Sequence, residues 1–131
     1  MRITIPEEKI NKIKKVMELS YIRRSLYQNQ EGLESVIQSD AYNKAEERLT
    51  DYMDELSFED IKFIQAIMYL GRDTSLEEKA KQSATELLKS QLEYLGRNGW
   101  TTKEGETDHV QSKMPLDEYL KEGLSITSIL Y

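Results

Sequence analysis

Carboxylates are the side chains in this sequence whose spacing best suits chemistry, and five of them fall between positions 46 and 55: Glu46, Glu47, Asp51, Asp54 and Glu55. On a helix, Glu47, Asp51 and Asp54 share one face because they stand four and three residues apart. Three carboxylates on one face can bind a hard cation through their oxygen atoms. No pair of histidines and no second acidic helix face accompanies them, so we predict no metal site.

Other kinds of chemistry have no comparable support in the sequence. The chain has one histidine, His109, and no cysteine, which excludes thiol nucleophiles and thiolate metal sites. His109 lies in a polar stretch without a partner visible in the sequence, so we interpret it as a surface residue. The glycine patterns that cradle nucleotide phosphates are absent. We therefore predict a protein that is not an enzyme and has no cofactor.

The net charge of -6 is distributed unevenly along the chain. Residues 1–30 hold seven Lys and Arg against three Asp and Glu, residues 31–60 hold two against ten, and residues 61–131 hold nine against eleven. The acidic middle segment disfavours nucleic-acid binding and favours a cationic partner. The simpler interpretation is an acidic helix that is merely solvated.

The basic residues of the first segment follow one another along a predicted helix: Lys9, Lys12, Lys14, Lys15, Arg23 and Arg24. Basic amphipathic helices can bind membranes or RNA, but the rest of the chain is acidic, so we interpret this face as solvated. No run approaches the roughly 20 apolar residues of a membrane span, and no signal peptide is evident. We predict a cytoplasmic protein that binds neither nucleic acid nor membranes.

The element around which the others must be arranged is the apolar segment 57–71. Its apolar residues recur mostly at three- and four-residue steps, which is a helical period. Ser57 and Asp60 resemble a capping box at its start, and Gly71 stands where a C-terminal cap is expected. Apolar residues on more than one face predict a central helix with neighbours on several sides.

Four further helices complete the predicted fold, over residues 6–27, 40–56, 75–95 and 116–122. Gly96 and Gly123 are expected to end the last two helices, as Gly71 ends the central one. The longest polar stretch, 97–114, is predicted to be a loop. The sequence thus predicts one all-α domain over residues 1–131, a compact bundle of about four to five helices around the segment 57–71.

Two short motifs resemble a bacterial helical family known only as a domain of unknown function. The segment IQAIMYLGRD at 64–73 is similar to that family's L-x-A-L-M-W-x-G-R-G core, and PLDEYLKEGL at 115–124 is similar to its closing P-x-L-x-D-Y-L-E-E-G-L. The resemblance implies a helical fold and no assigned activity. It also makes Arg72 a candidate to pair across the two motifs, with Asp117, Glu118 or Glu122.

Size, acidity and the absence of catalytic motifs also make the chain look like a bacterial immunity protein, which neutralises a nuclease toxin. Such toxins are usually basic, so the acidic segment would cover the basic substrate cleft and speed association. Tyr42 and Tyr52 would supply aromatic anchors among the carboxylates. The alternative is a helical regulatory module that binds another protein or itself through the first helix or the apolar tail, with Ile126, Ile129 and Leu130.

Overall fold

The structure, a computed structural model, describes residues 6–28, 40–74, 82–98 and 102–127. Every regular element within these ranges is an α-helix, which confirms the predicted all-α fold. The helices in these ranges number six rather than four to five: α1 (Glu7–Gln28), α2 (Asp40–Glu55), α3 (Phe58–Asp73), α4 (Ala84–Asn98), α5 (Lys103–Gln111) and α6 (Leu116–Ile126).

Helix α3 is the central helix, as its apolar pattern predicts. The Ser57 side chain accepts a hydrogen bond from the Asp60 backbone N–H at 3.1 Å, and Asp60 Oδ2 accepts one from the Ser57 N–H at 3.3 Å. This reciprocal pair is the predicted capping box. Helices α1, α4, α5 and α6 pack against α3, most extensively α6. The buried apolar residues of α3 are Ile61, Ile64, Ala66, Ile67, Met68 and Leu70.

Gly71 and Gly123 lie where α3 and α6 cross, so the prediction that they end helices is wrong. Helix α3 continues to Asp73, and α6 continues to Ile126. A Cβ atom on Gly71 would lie 1.8 Å from the carbonyl oxygen of Tyr119, and one on Gly123 would lie 2.1 Å from that of Ile67. Glycine is required here because the two helix backbones touch, and a side chain would push them apart.

Residues 103–111, predicted to belong to a polar loop over 97–114, form helix α5 instead. The Thr102 side chain caps this helix by accepting a hydrogen bond from the Gly105 N–H at 3.0 Å. Of the nine residues in α5, Thr107 and Val110 are buried. A helix with one buried apolar residue shows no apolar period, which is why the pattern predicted a loop.

Helix α4 differs from its prediction at both ends. It begins at Ala84 rather than near Ser75, because Gln82 and Ser83 are not helical. Ser83 Oγ accepts a hydrogen bond from the Glu86 N–H at 3.2 Å, which is how a helix N-terminus is capped. The helix continues through Gly96 to Asn98. The predicted capping box at residues 75–78 lies outside the described residues.

Helices α1 and α2 begin and end close to their predicted positions. The tight joint at Leu56 and Ser57 predicts that α2 and the central helix are antiparallel or angled neighbours. Helix α2 ends at Glu55, just before α3 begins at Phe58, yet it packs mainly against α1 and α5. Helix α1 packs against both α2 and α6. The start and the end of the described chain are therefore neighbours in space.

Candidate functional site

The acidic residues predicted to bind a partner are carried by α2, and the structure divides them into two groups. The inner side of α2 is fixed by Ala45, Leu49 and Met53, which are buried in the core. The side chains that follow the opposite side of the helix are exposed to solvent. They form what we call the α2 acidic face: Glu47, Asp51, Asp54 and Glu55.

The carboxylates of the α2 acidic face form no ion pair with any other described residue. Many other acidic residues have cationic partners within the chain: Asp60 pairs with two lysines, Asp117 with Arg24, and Asp40 with Lys44. The negative charge of the α2 acidic face is thus directed to solvent. This arrangement suits attraction of a cationic molecule.

Glu46 belongs to the second group, because its carboxylate faces inward to Arg23 of α1. The Arg23 side chain is 2% exposed, and its guanidinium lies 3.3 and 3.4 Å from the two Glu46 oxygens. Arg23 also donates hydrogen bonds to the carbonyl oxygens of Gln111 at 2.7 Å and Lys113 at 2.8 Å. Glu46 therefore neutralises a buried cation that joins α1, α2 and the end of α5.

Tyr42 and Tyr52 are both half-buried rather than fully displayed. The Tyr42 ring lies 6.1 Å from the ring of Tyr27, centroid to centroid. The Tyr52 ring packs against the core. Burial raises the pKa of both hydroxyls, so they stay protonated at neutral pH. Each ring offers an edge beside the carboxylates, but much of its area is already covered within the protein.

Helix α5 lies alongside α2 and runs in the opposite direction. Lys103, at the start of α5, donates a hydrogen bond to the carbonyl oxygen of Asp54 at 2.8 Å. At the other end, Gln111 Nε2 donates to Thr50 Oγ1. Helix periodicity then places the exposed Glu104 and Asp108 on the α2 side of α5. These two neighbours were not predicted, because this segment lacks apolar periodicity.

The basic residues of α1 are used largely within the protein. Lys9 and Lys12 bind the two carboxylate oxygens of Asp60 at 3.2 and 2.9 Å. Burial raises the pKa of Asp60, but hydrogen bonds from Lys12, Lys9 and Ser57 outweigh burial and lower it from 3.8 to about 2. The predicted solvated face of α1 is thus interrupted by ion pairs, including those of Arg23 and Arg24 with other helices.

Arg72 pairs with its neighbour Asp73, Nε to Oδ1 at 2.8 Å, and not with an acid of α6, for which the family resemblance made it a candidate. Asp117 instead accepts two hydrogen bonds from Arg24 of α1, at 2.9 and 2.8 Å. Glu118 also lies near Arg24, at 3.4 Å. Arg24 reaches these acids because α1 and α6 pack together. This contact could not be predicted from the sequence, because the two helices are far apart along the chain.

His109 is exposed, as expected, but it has a partner that the sequence did not reveal. Its Nε2 atom is hydrogen-bonded to the hydroxyl of Tyr69 on α3. Burial raises the pKa of Tyr69, so the hydroxyl is a poor nucleophile at neutral pH. The Arg72 guanidinium covers the Tyr69 ring at 4.5 Å from its centroid. These contacts join α5 to α3.

Comparison with known proteins gives no relative: no family model, no curated protein and no solved structure matches the chain. Within the described ranges, no three His, Cys, Asp or Glu side chains lie close enough to hold a metal ion. None of the described helices is both long and apolar enough to cross a membrane. The α2 acidic face is therefore the candidate functional site.

Proposed function

We propose that the chain is a non-catalytic acidic binding protein, and that it acts as an immunity protein that neutralises a basic, RNase-type toxin. One observation carries the proposal: the four carboxylates of the α2 acidic face are exposed and unpaired among the described residues, whereas Glu46, Asp60 and Asp117 are used within the fold. A basic nuclease cleft, shaped to hold a polyanion, is a surface that such a face complements.

The mechanism would be occlusion of the nuclease cleft. The carboxylates of the α2 acidic face occupy the positions of substrate phosphates along the cleft, and charge attraction accelerates the encounter. The exposed edges of Tyr42 and Tyr52 then contact the rim of the cleft, as aromatic side chains do in many interfaces. Because the helix is already folded and held by α1 and α5, little ordering is needed on binding.

The first experiment recovers the partner. The tagged protein is purified from its native strain at low salt, and the co-purifying protein is identified and assayed for nuclease activity. A basic nuclease that is recovered at one-to-one stoichiometry, released by high salt and silenced by the protein supports the proposal. Recovery of no partner, or of a second copy of the same chain, contradicts it and favours a self-associating helical module.

A matched pair of triple variants tests the face itself. Glu47→Gln/Asp51→Asn/Asp54→Asn removes three charges from the α2 acidic face. Glu7→Gln/Glu86→Gln/Glu93→Gln removes three charges from other helices, at residues that are likewise exposed and unpaired within the described chain. We expect the first triple variant to lose the partner and the second to retain it. Equal retention by both variants would show that binding uses another surface.

The apolar tail bears on the alternative function only in part. Ile126 lies at the end of α6, is half-buried and packs against the core. It is therefore a poor candidate for an exposed docking residue. Ile129 and Leu130 lie outside the described residues.

A further inference from the structure

Helix α5 contributes less to the core than α6, the helix nearest to it in length among the described ones. It buries two of its nine residues, Thr107 and Val110. Helix α6 has eleven residues and buries five, including Leu116, Leu120 and Leu124. Because apolar burial provides most of the free energy that holds a helix in place, α5 is held much more weakly than α6.

The remaining attachments of α5 in the described chain are polar: Gln65, on the α3 side, is 2% exposed, and the hydrogen bond from Gln111 to Thr50, on the α2 side, is partly buried. Toward α3, Gln65 Nε2 donates to Glu106 Oε2 at 2.9 Å, in addition to the bond between His109 and Tyr69. Toward α2, Lys103 reaches a backbone carbonyl at an exposed position. Each of these hydrogen bonds can be exchanged for one to water, so each contributes little net stability.

The deeply buried side chain of Arg23 holds the end of α5. Its guanidinium donates to the carbonyl oxygens of Gln111 and Lys113. If α5 moves away, the bond to Gln111 breaks, but the pair with Glu46 stays, because Glu46 is on α2. The Glu46 side chain is 38% exposed, so water can reach the pair. Departure of α5 therefore does not leave Arg23 as an isolated buried charge, and α1 and α2 need not separate.

We propose that α5 is a latch that opens and closes as a unit while the helices around it stay folded. The hydrogen bonding of Arg23 to the end of α5 stabilises the closed state. Opening uncovers the sides of α2 and α3 that α5 occupies and moves Glu104 and Asp108 away from the α2 acidic face. The latch follows from packing alone and does not depend on the function proposed above.

Amide hydrogen exchange in the native protein tests the latch, since an amide exchanges through the least costly opening that exposes it. The reporters for α5 are the amides of Glu106 and Ser112, which bond to the carbonyls of Thr102 and Asp108. Core amides of α3 and α6 report global unfolding. We expect the α5 amides to exchange at least about tenfold faster than the core amides, after correction for intrinsic rates.

Two cap variants distinguish local opening from global unfolding. Ser57→Ala removes the cap of α3 and is expected to accelerate core amides about fivefold, with no change in the α5 amides, because α3 stays folded when the latch opens. Thr102→Ala removes the cap of α5 and is expected to accelerate the α5 amides about fivefold. Ser83→Ala, at the start of α4, is a second variant with the same expected result as Ser57→Ala.

The opposite result is equally clear. If Ser57→Ala or Ser83→Ala accelerates the α5 amides by the same factor as the core amides, α5 opens only when the whole protein unfolds, and the latch does not exist. If Thr102→Ala leaves the α5 amides unchanged, the helix is not the unit that opens, and the proposal is likewise overturned.

Discussion

At the scale of single residues, Asp60 joins three parts of the protein through one carboxylate. It completes the capping box of α3 with Ser57, and it binds Lys9 and Lys12 of α1. The residue is 7% exposed, so the charge is tolerable only because every partner is in place. The ion pairs hold α1 against the start of α3.

The low pKa of Asp60 makes the free energy of unfolding depend on pH in the acidic range. The folded pKa is about 2, below its ordinary value of 3.8, so its stabilisation is present above about pH 4 and is lost as pH falls toward 2. The shift corresponds to roughly 2 kcal/mol at most. We expect Asp60→Asn to lower the free energy of unfolding at pH 7, with the difference from wild type shrinking between pH 4 and pH 2.

Urea unfolding across this pH range measures the effect. Asp54→Asn is the control, because Asp54 is exposed and has no ion pair in the described chain; it should change the free energy of unfolding at pH 7 much less than Asp60→Asn does. A difference between wild type and Asp60→Asn that stays constant from pH 5 to pH 2 would contradict the ion-pair account.

Arg23 is the buried cation whose removal should be most harmful. Arg23→Met removes the partner of Glu46 and one hydrogen-bond donor from each of the Gln111 and Lys113 carbonyl oxygens, of which that of Lys113 still accepts from the Leu116 N–H. We expect a loss of about 3 kcal/mol in the free energy of unfolding. Arg48→Met on exposed α2 is the matched control and should change it by less than about 0.5 kcal/mol. Comparable values for the two variants would show that the Arg23 network adds little.

At the scale of helices, the crossing of α3 and α6 depends on two glycines, Gly71 and Gly123, which have no side chain. We expect Gly71→Ala and Gly123→Ala each to lower the free energy of unfolding by about 3 kcal/mol or more, because the added Cβ atom meets a backbone carbonyl that no rotamer change can move. Gly105→Ala, at an exposed position in α5, is the control and should be neutral or stabilising.

Gly71→Asn separates this account from the one predicted from the sequence. Asparagine tolerates the left-handed conformation of a helix C-cap, so a glycine that merely ended α3 would accept it at little loss. At a helix crossing, asparagine is worse than alanine because it is larger. Thermal unfolding of the two Gly71 variants would decide between these roles.

Helix existence was predictable where apolar residues recur, and not where they are few. The period of α3 and its Ser57–Asp60 box placed the central helix within two residues of its ends. Helix α5 has only Val110 as a buried apolar residue, so no period was visible. The glycines were misinterpreted for a different reason: a glycine after an apolar run looks the same at a helix end and at a helix crossing, and only the partner helix distinguishes them.

The carboxylates of the candidate site could be predicted from the sequence, but the one that pairs with a cation inside the protein could not. Helical spacing correctly grouped Glu47, Asp51 and Asp54 on one exposed face. It could not show that Glu46 turns toward Arg23, because that pairing depends on how α1 and α2 pack. Ion pairs between helices follow tertiary contacts, and the sequence records only which charges are available.

At the scale of the whole molecule, the carboxylates of the α2 acidic face contribute to the net charge of -6 but form no ion pair with other described residues. We expect Glu47→Gln/Asp51→Asn/Asp54→Asn to leave the free energy of unfolding unchanged or slightly higher at low salt, because like charges at helical spacing repel one another. Glu46→Gln alone should lower it. Urea unfolding at low and high salt measures both. A clear loss of stability in the triple variant would mean that these carboxylates have a structural role.

The packing of α1 against α6 has a consequence for the kinetics of folding. Arg24 of α1 meets Asp117, which is 93 residues further along the chain, and α3 finds its most extensive contact with α6 rather than with the adjacent α2. Closing loops of this length loses chain entropy before any contact compensates for it. Because these contacts join helices that are far apart along the chain, we expect the protein to refold more slowly than a helical bundle of sequential neighbours.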